Sequence, residues 1–201
     1  MKRSGTLAAA RRGAITILLL ALGGCAAEPA TVFAGGSTNC KASTASNLPG
    51  VKIEFIGKRC VWSLAEVQEG IRIPYIVSVD APLSGVVSLP RNAGECDMVG
   101  ASGLNLLEEL QGNGQYYGIR DIGLCEGLPL QARSLPHGRH EHFFQWDGRN
   151  WTGPSDYGEP KGARFPAGEY VLSVSSVGSW ETPDGVVAFE VIATLPITLH
   201  E

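Results

Sequence analysis

From Ile71 to Val79 the chain reads IRIPYIVSV, with apolar side chains at Ile71, Ile73, Tyr75, Val77 and Val79 set against Arg72, Pro74 and Ser78. Ile76 is the one break in that alternation. A period of two marks a strand with one buried face, because successive side chains of an extended chain point to opposite sides. The same period returns in Val51–Ile53–Phe55, in Tyr170–Leu172–Val174 and in Val187–Phe189–Val191. Between the runs sit the turn clusters DAPLSG, PRNAG, GNGQ, FPAG and TPDG, in which Gly supplies positive φ and Pro presets a negative one. Many short strands separated by such turns predict an all-β chain, folded as an antiparallel β-sandwich. Pro74 has no N–H to give to a ladder, so it is expected on an edge strand or at a bulge. Only LNLLEEL, Leu104 to Leu110, reads as a helical turn or two. No repeat and no second domain interrupt the pattern, and residues 50–201 are assigned to a single domain.

The segment ahead of that domain reads as an address. Lys2, Arg3, Arg11 and Arg12 come without an acid and are followed by the run AITILLLAL. That run is too short for a membrane-spanning helix and fits the hydrophobic region of a signal peptide. It ends in LGGC, and Leu22, two glycines and Cys25 resemble the lipobox of bacterial lipoproteins. The resemblance implies that residues 1–24 are removed and that Cys25 is diacylated as the mature N-terminus. It thereby anchors the protein in a membrane, since each buried CH2 adds about 0.8 kcal/mol. Ala26 stands where an inner-membrane retention signal would place Asp, which implies the outer membrane.

Removing residues 1–24 takes away four basic residues and no acid, leaving 12 Lys+Arg against 20 Asp+Glu, a formal charge of −8. An acidic surface of that size argues against nucleic acid or anionic lipid head groups as partners. Residues 25–49 are small and polar and lack periodicity, as expected of a tether. Cys40 should pin the distal half of that tether to the domain. Apart from Cys25 the cysteines are Cys40, Cys60, Cys96 and Cys125, an even number that reads as two disulfides in an exported chain. Three pairings are open, and the sequence-adjacent ones, Cys40–Cys60 and Cys96–Cys125, are favoured.

The segment FFQWDGRNWTGPSDYGEPKGARFPAGEYVLSV holds W-D-G, a later G-E-P and then F-P-A-G-x-Y leading into an alternating strand. It resembles the closing hairpin of BsuPI-like domains, the bacterial intracellular proteinase-inhibitor family, and the Ig-like domain of flagellar hook-capping proteins. The resemblance implies an Ig-like sandwich and brings proteinase inhibition in as an alternative function. In physical terms Trp146 ends an inward row, Gly148 permits a turn, Pro166-Ala167-Gly168 makes a second turn, and Tyr170 plugs the sandwich from the neighbouring strand.

Three of the four histidines lie in PHGRHEHFFQWDG. Along a strand His140, His142, Phe144 and Trp146 share one face, and Glu141, Phe143 and Gln145 the other. A His-x-His pair is half of a zinc or copper site, which His137 or His200 could complete. A metal carrier is therefore a second alternative. The plainer expectation is a strand whose histidines are structural or pH-responsive surface groups.

The acids Asp147, Asp156 and Glu159 match no EF-hand loop and read as solvated. Ser102 in GASG lacks the nucleophile-elbow spacing and reads as a turn residue. The remaining cysteines are committed to disulfides, and no glycine-rich phosphate loop follows a strand. With no catalytic set assembled, the chain is expected to be non-enzymatic and without a cofactor. Trp151 and Tyr157 fall outside the strand alternation, and with Asp147 and Asp156 they suggest a recognition surface in the loop 147–165. The expected function is a lipid-anchored envelope protein whose loops bind another protein or a surface polymer.

Overall fold

The computed structural model describes residues 40–57, 59–80, 86–89, 102–118, 131–150 and 162–201. The elements in chain order are β1 (Ser43–Ser46), β2 (Val51–Phe55), β3 (Val61–Ser63), α1 (Leu64–Glu69), β4 (Ile71–Val79), β5 (Val86–Leu89) and β6 (Leu107–Gly112). They continue with β7 (Gln115–Gly118), β8 (Gln131–Arg133), β9 (Gly138–Trp146), β10 (Gly168–Thr182) and β11 (Gly185–His200). The strands form two sheets. In the smaller, β4 lies between β2 and β9, antiparallel to both. The larger is built on the β10–β11 hairpin. Strand β10 takes β6 along its first half and β5 along its second; β11 takes β1 and then β3, the one parallel pairing described.

The alternating runs account for this arrangement. Ile71, Ile73, Tyr75, Val77 and Val79 all turn inward from β4, and each is at most 7% exposed. They join one continuous core with Tyr170, Leu172 and Val174 of β10 and with Val191, Leu195 and Ile197 of β11. The turn TPDG becomes the tight connection of the long hairpin, with Thr182 opposite Gly185. Cys40 is disulfide-bonded to Cys60, as favoured from sequence. Cys96 and Cys125 lie outside the described residues, as do Cys25 and the leader. The sheet takes in Ser43–Ser46 from the stretch expected to be tether, with Ser43 opposite Thr194 and Ser46 opposite Val191.

Three expectations are corrected. LNLLEEL is not helical: its second half is β6, paired to both β10 and β7. Leucines at helix-compatible spacing are overruled here by the GNGQ turn behind them, which folds β6 back onto β7. Pro74 sits in the central strand of its sheet, not on an edge strand. It is accommodated because β2 ends beside it: Pro74 O still accepts from Ile56 N (3.2 Å), and the ring nitrogen faces that same departing side. The segment from β9 to β10 is not a hairpin either, since β9 and β10 belong to different sheets. The one described helix, α1, arises at a capping box that the strand pattern hid. Ser63 Oγ accepts from Glu66 N, and the Glu66 carboxylate accepts from Ser63 N.

A column of rings crosses the sandwich where the two sheets meet. Tyr117 packs edge-on against Phe144 at 5.7 Å, Trp146 meets Phe165 at 4.8 Å, and Phe165 meets Tyr170 at 5.1 Å. The Tyr170 hydroxyl donates to Pro166 O (2.8 Å). Trp146 and Tyr170 are therefore inward, as read from sequence, but they face each other from opposite sheets through Phe165.

Gly112, at the end of β6, has a positive φ of 152°. A Cβ there would stand 2.5 Å from Glu169 O and 2.8 Å from Tyr170 Cα. Gly112→Ala must move backbone and should cost about 2–3 kcal/mol. Gly114, with φ 70° and nothing within 4 Å of its Cβ position, should lose only the conformational difference, about 1 kcal/mol. Urea-denaturation midpoints of the two variants test this; equal losses would contradict the close approach at Gly112.

Candidate functional site

The inward face of β9 ends in histidines. Trp146 and Phe144 are buried, followed by partly buried His142 and His140, so the face read from sequence is the face that turns in. Opposite pairing sets His142 beside Tyr75 of β4, and the rings stack at 5.4 Å with 13° between planes. Phe55 of β2 meets the same Tyr75 ring edge-on at 6.0 Å. From the larger sheet, Glu108 of β6 reaches across the sandwich on the same side of its strand as buried Leu110. Tyr75 Oη donates to Glu108 Oε1 at 2.7 Å. This hydrogen bond ties one sheet to the other.

Burial decides the protonation of the cluster. It pushes the Glu108 carboxyl up to about 7, with the Tyr75 hydrogen bond pulling the other way. Burial and then the neighbouring Glu108 charge drive the Tyr75 hydroxyl far above its usual range. Tyr117 rises to about 12 through burial, helped by the charges of Glu108 and Asp147. His142 is lowered by burial and by His140, and its Nε2 is shut from solvent without a hydrogen-bond partner. Near neutral pH the cluster thus favours a protonated phenol, a neutral imidazole and a carboxyl poised between its two states. Its chemistry is that of an inter-sheet clasp that can hold or release one proton.

The other histidines are committed elsewhere. His137 Nε2 lies 3.1 Å from Asp80 O and His140 Nε2 lies 3.2 Å from Pro136 O. A carbonyl only accepts, so both nitrogens carry their proton and turn no lone pair outward. His200 Nδ1 faces Glu201 O at 2.9 Å. Among the described residues no three His, Cys, Asp or Glu side chains come together as a metal set. Ser102 is buried and its Oγ accepts from Leu104 N (3.4 Å), the turn role expected of it.

Of the loop 147–165, Trp151, Asp156, Tyr157 and Glu159 lie outside the described residues, but its base is described. Phe165 N donates to Gly148 O, Asn150 N to Ala163 O and Gly162 N to Asn150 O, all at 2.7–2.8 Å. Arg149 pairs with Arg164 in the same short ladder. Trp146 Nε1 donates to Arg149 O (2.9 Å), and Asp147 Oδ1 accepts from Arg149 N (3.4 Å). Gly148, with φ 81°, approaches α1 so closely that a Cβ would stand 2.8 Å from Val67 Cγ1. The loop thus leaves the sandwich from a paired stem fastened to the ring column.

No family model, curated protein or solved structure matches this chain. Function must therefore be argued from the chain's own residues.

A cleft of about 350 Å³ opens between α1 and β4, lined by Arg59, Trp62, Glu66, Arg72 and Pro74 among others. Arg59 lies over the Trp62 ring at 5.4 Å and donates to Glu66 Oε1 at 2.6 Å. That bond, with those from Ser63, holds the Glu66 carboxyl down at about 2. Glu108 is the residue that sequence reasoning misses, because LNLLEEL reads as helix. The signal that could have found it is the GNGQ turn with QYYG beyond it, two short runs about a turn, which reads as a hairpin.

Proposed function

We propose that this chain is a lipid-anchored protein of the bacterial cell envelope, held in the outer membrane through Cys25. Its β-sandwich, Ig-like in architecture, is a non-enzymatic module that binds another protein or an envelope polymer through the loop 147–165. The observation that carries the binding reading is the stem described above. A loop bearing Trp151, Asp156 and Tyr157 springs from a hydrogen-bonded ladder at the rim of a rigid core, and a rigid base lowers the ordering cost of recognition. Export is supported by the Cys40–Cys60 bond, since disulfides persist in oxidising compartments.

Two measurements test the proposal. Radiolabelled palmitate should be incorporated into the wild-type chain and absent from Cys25→Ala, which should leave the membrane fraction. Deleting residues 151–161 should preserve the fold and abolish co-purification of the partner from membranes. Retention of every partner by the deleted form would rule out the loop as the binding surface, and an unlabelled wild type would rule out the anchor.

A further inference from the structure

The outer face of the β2–β4–β9 sheet carries a feature that the loop-binding reading does not use. Register sets Glu54, Ile76 and Glu141 in one row across the three strands, and Lys52, Ser78 and Arg139 in the row beyond. On the other side comes Ile56, bonded to Pro74 O, then Pro74 and its partner Phe143. One row further, Arg72 stands opposite Gln145. A solvent-facing sheet surface ordinarily carries polar groups at such positions. Here Ile56 is 46% and Phe143 38% exposed, aligned with Pro74 in an apolar band running straight across the sheet. The Arg72 guanidinium lies 3.8 Å from the Phe143 ring centre. Lys52 is paired with Glu54 at 3.3 Å and Arg59 with Glu66 at 2.6 Å, whereas Arg72 meets no carboxylate among the described residues.

We propose that this face docks against the same face of a second copy of the chain. A two-fold axis along the Ile56–Pro74–Phe143 row lays the apolar band on itself and sets the row on one side against the row on the other. Arg72 of one copy then comes over Ile76 of its partner, within reach of the glutamates at positions 54 and 141 that flank it, while Gln145 comes over the Glu141 position. The other in-plane axis, along the strands, would lay Glu54 over Glu141 and Lys52 over Arg139, like charge on like in both rows. Charge complementarity therefore selects one isologous arrangement. Three strands about 4.8 Å apart and three rows about 6.8 Å apart cover roughly 300 Å² on each copy. A standard stable interface needs about 800 Å² per partner, so the pairing is weak and reversible. It does not depend on the acyl anchor or on the loop 147–165.

The axis passes through the position of Ile56, so equivalent residues there face each other. In the full-length protein, Ile56→Cys should give an intermolecular disulfide on mild oxidation of membranes, and Lys52→Cys, two rows away, should not. Arg72→Glu added to Ile56→Cys should cut the cross-link at least about tenfold, and adding Glu141→Arg as well should restore most of it. Sedimentation velocity of the purified protein without the extra cysteine should show a monomer–dimer equilibrium that shifts with concentration and disappears in Arg72→Glu. A protein that stays monomeric throughout, equal cross-linking from Lys52→Cys, indifference to Arg72→Glu, or a double reversal that fails to restore pairing would each overturn the proposal.

Discussion

Replacing Trp146 by alanine is expected to remove about 3–5 kcal/mol of stability, the cost of emptying a large aromatic site in a packed core. Trp146 is 3% exposed and touches both Tyr117 and Phe165. Its indole N–H is a tie to the stem, through Arg149 O. The truncation therefore opens a cavity in the ring column and frees the base of the loop 147–165 in one step. Phe143 on the same strand is the natural control: it faces outward and its main described contact is Arg72. Phe143→Ala should cost less than about 1 kcal/mol. Chemical denaturation of the two variants would decide it, and comparable losses would mean that the two faces of β9 have been assigned wrongly.

The second large effect is one of pH. In Glu108→Gln the inter-sheet hydrogen bond from Tyr75 keeps an acceptor but loses its titration. The wild-type carboxyl is raised from the ordinary 4.5 to about 7. A group raised in the folded state contributes stability that is present below its unfolded value and is lost as pH rises through its folded one. The interval corresponds to about 3 kcal/mol at ~1.4 kcal/mol per pH unit, reduced to about 2 by the partial exposure of the residue. Relative to wild type, Glu108→Gln should therefore gain about 2 kcal/mol between pH 5 and pH 8. His142 acts in the opposite direction: lowered in the fold, it contributes stability above its ordinary value that is lost as pH falls below it. Both forms carry His142, so its effect largely cancels in their difference. Melting temperatures of the two proteins across that range provide the test, and parallel curves would show that Glu108 does not titrate there.

Much of this architecture is legible in the order of residues alone. The alternation in IRIPYIVSV requires one buried face whatever the partner strands are, and β4 buries the side it indicates. The same holds for the histidine strand, where Trp146 and Phe144 define inward and His142 follows by parity. The turns GNGQ and TPDG are read locally, because glycine at positive φ and proline at fixed φ act within three or four residues. The pairing of Cys40 with Cys60 is one choice among three, favoured by proximity in the chain.

What the sequence settled by itself is therefore which face of each strand turns in, where the chain reverses, and which residues carry an address. Those properties depend on neighbours a few positions away. Tertiary structure alone decided that Pro74 lies in a central strand, that LNLLEEL ends in a strand, that β9 and β10 belong to different sheets, and that Glu108 meets Tyr75. Each depends on pairing between segments distant along the chain, whose register follows from the joint burial of every apolar face at once. A carboxyl acquires its altered affinity for a proton only when a facing sheet removes water from it.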